Sequence, residues 1–248
     1  MGKPGKIYFA SDVHLGAPDP VSSLVREKIF VSWLDKIKED AAIIFLLGDI
    51  FDYWFEYKRV VPRGFTRLLG KLAEITDSGI PIHFFTGNHD IWVFDYLPAE
   101  TGVILHRKPF NWEHNGKKFH LAHGDGLGPG DKGYKFLKKI FTNPMLQWLY
   151  ARLHPNFATW LAQRLSEDSR ISGVSTEFKG AENEWIVQYA YEVLQKEEVD
   201  YFIFGHRHIP IDIELNNGSR FIYLGDWIEH YTYGVFDGND FTLKTVKV

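Results

Sequence analysis

The chain has no cysteine, so neither a disulfide framework nor a thiolate metal site is open to it. That absence fits a reducing compartment. Long apolar runs are missing too. The longest is Ala41–Leu47, far short of the roughly 20 residues that a membrane-spanning helix needs. There is no dominant charge of one sign: 28 basic residues against 32 acidic ones leave −4. This weighs against nucleic acid as the main partner. Met1–Lys6 lacks the apolar centre of a secretion signal, and Lys6 breaks the acylation pattern that begins at Gly2. No internal repeat and no low-complexity linker is present. The expectation is a soluble, cytoplasmic protein of 248 residues, large enough to bury a core without staples.

What is present is alternation. Apolar, β-branched and aromatic runs predict strands over Ile7–Ala10, Ile43–Leu47, Ile82–Thr86, Phe119–Ala122, Tyr201–Phe204 and Phe221–Leu224. Gly234–Phe236 and Phe241–Val246 flank Asp237-Gly238-Asn239 as a hairpin. Val25–Lys38 and Phe65–Thr76 carry apolar residues at helical spacing. Early strands that are apolar throughout predict a sheet covered on both faces, hence an α/β fold of stacked sheets with helices outside.

Five short segments follow predicted strands: SDVH (Ser11–His14), GDIFD (Gly48–Asp52), GNHD (Gly87–Asp90), HGD (His123–Asp125) and GHRH (Gly205–His208). In an extended segment Asp12 and His14 point to the same side and can reach one ion. Alone, the pair reads as a loop aspartate beside a surface histidine. Asp49 follows Gly48, which lets the chain turn sharply, and its carboxylate can bridge two cations through its two oxygens. Alone it is a turn aspartate. Asp52 reads as a helix cap or an outer acceptor. Asn88 offers a carbonyl oxygen, His89 a general acid, and Asp90 a carboxylate to orient the His89 ring. His206 and His208 repeat the two-residue spacing, and imidazole with carboxylate suits Mn, Zn or Fe. His83, His106, His114, His120, His154 and His230 fall outside the motifs and read as structural. Asp226 reads equally as an outer acceptor or a turn residue. It is the order of all five segments at strand ends that points to a two-metal centre.

From Asp131 to about Arg170 the strand signal stops, and two or three helices are predicted, punctuated by Asn143-Pro144 and His154-Pro155. Seven basic residues stand against three acidic ones there, among many aromatic and aliphatic residues. Most of those apolar residues are expected to pack on the body. A basic, aromatic cover also suits an acyl chain with an anionic head, and Lys138 and Lys139 an anionic membrane surface.

The ordered set resembles the calcineurin-like metallophosphoesterase superfamily, and the resemblance runs from Asp12 to Asp226. It implies one domain over 1–248, a four-layer α/β/β/α sandwich with a helical insertion at about 131–185. It also implies one metal on Asp12, His14, Asp49 and His208 and a second on Asp49, Asn88, His123 and His206, with manganese favoured and His89 catalytic. Within the superfamily the chain looks like the diphosphatases of lipid A biosynthesis, which act on UDP-2,3-diacylglucosamine. The segment that carries this runs from HGD through Asp131, Tyr134 and Asn143-Pro144 to Glu167-Asp168-Ser169-Arg170. That family's insertion covers acyl chains. Asn88, Asp131, Ser169 and His206 are then expected to contact the UDP-linked glycolipid.

Two departures stand out: His89 where those diphosphatases usually have Arg, and Gly173 and Thr176 where they have polar residues. The implied reaction is water attack at the α-phosphorus, giving UMP and 2,3-diacylglucosamine 1-phosphate, with peripheral contact at the cytoplasmic face of the inner membrane. The alternatives are a general metallophosphatase or nucleotide pyrophosphohydrolase, a nuclease, or an inactive scaffold of the same fold.

Overall fold

A computed structural model describes residues 5–130, 132–171, 178 and 180–247, without the side chains of 163 and 165–171. In chain order the strands are β1 (Lys6–Ala10), β2 (Ala41–Leu47), β3 (Ile82–Phe85), β4 (Ile104–His106), β5 (Phe110–His114), β6 (Lys117–Ala122), β7 (Tyr201–Phe204), β8 (Pro210–Glu214), β9 (Arg220–Leu224), β10 (Thr232–Phe236) and β11 (Phe241–Thr245). The helices are α1 (Pro20–Ile37), α2 (Thr66–Asp77), α3 (Tyr96–Thr101), α4 (Lys132–Phe141), α5 (Pro144–Tyr150), α6 (Pro155–Ile171) and α7 (Trp185–Leu194).

Two sheets form, in the orders β11-β10-β1-β2-β3-β4 and β5-β6-β7-β9-β8. β1 to β4 run parallel, as do β6, β7 and β9. Ile7, Phe9, Phe45 and Leu47 meet Phe119, Leu121, Ile203 and Ile222 between the sheets. Phe9 stacks on Phe45 at 5.2 Å and on Phe119 of the opposite sheet at 6.2 Å. The alternate residues Tyr8, Ala10, Ile44 and Leu46 face α1 and α2. On the far side Phe202, Phe204 and Tyr223 pack under Ile186 and Ala190 of α7. Both faces of the central strands are thus buried, which is why they read as unbroken apolar runs. The result is the four-layer α/β/β/α sandwich.

The central strands and the β10–β11 hairpin fall where the sequence predicts them. β4, β5 and β8 do not announce themselves: they are short or half-exposed, with polar residues alternating. α1 starts five residues before the predicted Val25. Asp19 accepts the N–H groups of Val21 (2.8 Å) and Ser22 (3.0 Å), and Pro20 opens the helix with no N–H to leave unpaired.

The insertion forms three helices, with Asn143 capping α5. Its apolar residues depart from expectation. Neither α4 nor α5 has a buried residue. Phe136, Met145, Trp148 and Trp160 are between 53% and 72% exposed. Among its contacts with the body, Tyr150 packs on Phe55 and Trp92. The Trp92 indole also donates to the Phe141 carbonyl at 2.8 Å.

Candidate metal centre

The five motifs occupy the loops that follow β1, β2, β3, β6 and β7, at the carboxyl ends of parallel strands in both sheets. These loops turn hard. Asp12, His14, Asp49, His206 and His208 all have positive φ, between 47° and 69°. For a residue with a Cβ this costs about 1–2 kcal/mol each, and it persists only where the surroundings dictate it. Asp12 and His14 therefore converge through two left-handed turns, not through the extended spacing expected of them.

The loops brace one another. The Asp12 N–H donates to the Gly48 carbonyl (3.1 Å), and the His14 N–H to that of Asp49 (2.9 Å). One guanidinium nitrogen of buried Arg26 reaches the carbonyls of Val13, His14 and Ala17 at 2.8–3.2 Å. At Gly48 a Cβ would lie 2.7 Å from the His123 ring, so no larger residue fits.

Two groups of side chains form. In the first, His208 Nε2 lies 3.3 Å from Asp12 Oδ1 and 3.2 Å from His14 Nε2. In the second, His123 Nε2 lies 3.1 Å from Asp49 Oδ2 and 3.2 Å from Asn88 Oδ1, with His206 beside it. Asp49 Oδ2 is also 3.7 Å from His14 Nε2, so one oxygen stands between the groups. Its other oxygen accepts the His89 N–H at 2.8 Å. Each group, like the set His14, Asp49 and His89, has the donor spacing to hold a cation.

Outer partners fix the rings. His123 Nδ1 donates to the Leu47 carbonyl (2.8 Å), His14 Nδ1 faces Asp52 (3.1 Å), and His208 Nδ1 faces Asp226 (3.3 Å). In each case Nε2 is left toward the centre. Asp226 is both of the things its sequence allowed. Its second oxygen accepts the N–H groups of Ile228, Glu229 and His230 at 2.9–3.1 Å. Asp90 does not orient His89. It is fully buried and accepts the N–H groups of Gly87 (2.7 Å) and Ile50 (2.9 Å), locking two motif loops together. The His89 ring is set by Asp52, whose carbonyl accepts from Nδ1 at 3.0 Å. Sequence reasoning also missed the pair between Glu184 and Arg207, which holds the loop of His206 and His208 against the start of α7 at 2.8 Å. A charged residue between two histidines was the available signal.

Electrostatics explain why these groups tolerate burial. Desolvation works against ionising Asp12 and Asp49, yet the neighbouring histidines pull both carboxyls below the usual range. Burial likewise opposes charge on His14 and His123, but Asp12, Asp52 and Asp49 outweigh it, and both rings are raised to about 10. His206 goes the other way, to about 4, through burial and the charge of His123. Burial also lowers His89. Among the described residues no Lys or Arg pairs with Asp12 or Asp49. Among the described residues, protons on imidazoles are the positive charge these carboxylates find. The donor set, four imidazoles with carboxylate and amide oxygens, fits borderline divalent cations.

Asp131, Gly173 and Thr176 lie outside the described residues, as does the side chain of Ser169. Lys138, expected toward a membrane, turns inward and pairs with Asp125 at 2.6 Å, whereas Lys139 stays exposed.

The sequence profile of calcineurin-like phosphoesterases matches residues 5–210. UDP-2,3-diacylglucosamine hydrolase of Porphyromonas gingivalis is 43% identical over 98% of both chains. The enzyme of the same name from Shewanella piezotolerans is 27% identical over 90% of this chain and 91% of that one. Among solved structures, a dimetal phosphatase from Danio rerio matches 98% of this chain and 96% of its own at a TM-score of 0.50. At 15% identity that likeness is one of fold alone.

Proposed function

The chain belongs to the calcineurin-like phosphoesterase family, and from that premise we propose that it hydrolyses the diphosphate of UDP-2,3-diacylglucosamine. Water attacks the α-phosphorus and releases UMP and 2,3-diacylglucosamine 1-phosphate. The observation that carries this reading is the pair of buried acid–imidazole groups sharing Asp49 Oδ2, with no Lys or Arg among the described residues to balance them. Asp12, His14, Asp49 and His208 would hold one divalent cation, and Asp49, Asn88, His123 and His206 the other, with Mn2+ the metal we propose. Bound there, the pair would neutralise charge on phosphorus-bound oxygens and activate a water molecule.

The rest falls to the chain's own groups. Asn88 and His206, at the open side of the second group, would orient the substrate's phosphoryl oxygens. His89 donates from Nδ1 to a fixed carbonyl, so its neutral ring offers a lone pair at Nε2. An arriving diphosphate raises its basicity, and the protonated ring then gives a hydrogen bond or a proton to the leaving group.

Substrate class follows from the relatives' names and from the cover. A cavity of about 400 Å³ opens beside Asp52, lined by Leu15, Phe55, Val60, Phe65 and Trp160. It joins the metal loops to α6, and its walls suit acyl chains, which gain about 0.8 kcal/mol per buried methylene. The exposed Phe136, Met145 and Trp148, with Lys139, would rest on an anionic membrane surface. No described helix is long and apolar enough to cross a membrane.

The test is release of UMP by Mn-loaded protein from the lipid substrate, alongside UDP-N-acetylglucosamine. Fast cleavage of the lipid alone is expected. Equal turnover of the soluble sugar nucleotide would shift the reading to a general nucleotide pyrophosphohydrolase, a possibility that His89 in place of Arg keeps open.

A further inference from the structure

Asp125 closes the HGD motif, two residues after His123, and the metal groups leave it unused. It is only 4% exposed. Its Oδ2 accepts from the Tyr134 hydroxyl at 2.5 Å and from Lys138 Nζ at 2.6 Å. Lys138 Nζ also reaches the Asp125 backbone carbonyl at 3.2 Å. Both donors lie on α4, one turn apart and so on one face. Lys135, on the same helix, donates to the Gly128 carbonyl a little further along this loop.

These bonds matter because α4 has few other anchors: at its far end Phe141 packs on Trp92 at 5.3 Å and its carbonyl takes the Trp92 indole N–H, and the first turns are held by the Asp125 loop. The helix has no buried residue, and Phe136, Leu137 and Ile140 are exposed. A helix with no buried apolar face is placed by its directional contacts, and charge-assisted bonds shielded from water are the strong ones. Between His123 and Asp125 stands only Gly124, at φ 122°, so the clasp and the candidate ligand share one tight turn.

We propose that Asp125 is a positioning residue: through Tyr134 and Lys138 it seats the first helix of the cover on the loop that carries His123. A substrate whose lipid part lies under the cover then depends on the clasp, and a small phosphodiester does not. The lipid half of this statement rests on the function proposed above; the seating of α4 does not.

The experiment uses the full Mn-loaded chain with Tyr134→Phe, Lys138→Met and the double variant, and with Lys138→Arg as the conservative control. Asp125→Asn is added, although it risks displacing His123. Three readouts are taken: hydrolysis of UDP-2,3-diacylglucosamine, hydrolysis of bis(p-nitrophenyl) phosphate, and backbone amide exchange of α4. The double variant should exchange at least about tenfold faster in α4 and lose at least about tenfold in kcat/KM for the lipid, mostly through KM, as the loss of both donors to the Asp125 carboxylate implies. Its diester activity should stay within about twofold, and Lys138→Arg should restore the lipid value. Unchanged exchange in α4 would overturn the clasp. Faster exchange with an unchanged lipid KM would overturn its part in catalysis. If the unaltered protein leaves the lipid intact, the functional proposal fails while the exchange result still decides the clasp.

Discussion

The metal rim and the helical cover are built on opposite principles. At the rim nearly every polar side chain is buried and bonded, and five residues keep costly left-handed backbone because neighbouring loops dictate it. In the cover, α4 and α5 have no fully buried residue, and large aromatic side chains face outward. Rigid surroundings suit donors that must stay within tenths of an ångström of a cation. An exposed apolar surface on a few polar anchors suits a partner that completes it. If so, substitutions in the rim should act on every substrate alike, and substitutions in the cover only on one with a lipid part.

The largest expected effect lies at the shared carboxylate. Asp49→Ala removes the one oxygen between the two groups and takes away a counter-charge of both His14 and His123. Activity on both lipid and small diester should fall by about a thousandfold or more, beyond the ten- to hundredfold typical of an outer partner. Metal content should drop from two ions toward one or none by elemental analysis. Full metal content with near-normal turnover would break the two-group description.

Next comes His89→Asn. General acid–base groups contribute about 10²–10⁴-fold, so kcat should fall in that range on any ester with a poor leaving group. Metal content should not change, because Asp49, His14, His123 and His208 stay in place. The loss should shrink for p-nitrophenyl esters, whose leaving group needs no proton. An equal loss on both would make His89 a structural residue.

How much of this the sequence disclosed differs between the same two regions. The rim was legible because its chemistry is local: SDVH, GDIFD, GNHD, HGD and GHRH each put a ligand type at a strand end, and strand ends are readable from apolar runs. Which way those loops turn was not. Left-handed Asp12 and His208 carry no sequence mark such as glycine. Asp90 bracing Ile50 from forty residues away, and Arg26 holding three carbonyls, are contacts that no spacing encodes. The cover misled in a different manner. Phe136, Trp148 and Trp160 have the composition of core residues, and hydrophobicity alone does not say whether the body or a ligand covers them. The inward turn of Lys138 depended on Asp125, which only the fold brings near.

Proton competition sharpens the rim's side of the contrast. In the metal-free protein His14 and His123 are raised to about 10, against 6.5 unfolded. Their contribution to stability is therefore complete below pH 6.5 and is lost as pH rises through about 10. A cation must displace those protons, so its affinity moves the opposite way. Titration calorimetry with Mn2+ should show the affinity for each ion rising by up to about tenfold per pH unit between pH 7 and 9, because each group carries one such ring, with matching proton release in buffers of different ionisation enthalpy. A flat profile would mean that the imidazoles are already neutral, and that something other than protons balances Asp12 and Asp49.

The smallest effect, and the one that isolates the cover, is expected of Trp160→Ser. This side chain lines the cavity beside Asp52, is 53% exposed and carries Arg164 over its ring at 5.8 Å. Because it buries little in the free protein, its loss should move the thermal midpoint by no more than a degree or two, as for a surface substitution within about 0.5 kcal/mol. Covered by an acyl chain, the same ring would bury additional apolar surface worth about 1–2 kcal/mol, or roughly five- to thirtyfold in KM for the lipid. Hydrolysis of the small diester should not change. A drop in both activities would tie α6 to the metal loops mechanically, through the Tyr53–Tyr150 contact at 3.1 Å and the Tyr150 bond to Ala158 at 2.8 Å. The cover would then be part of the rim's scaffold and not a surface awaiting lipid.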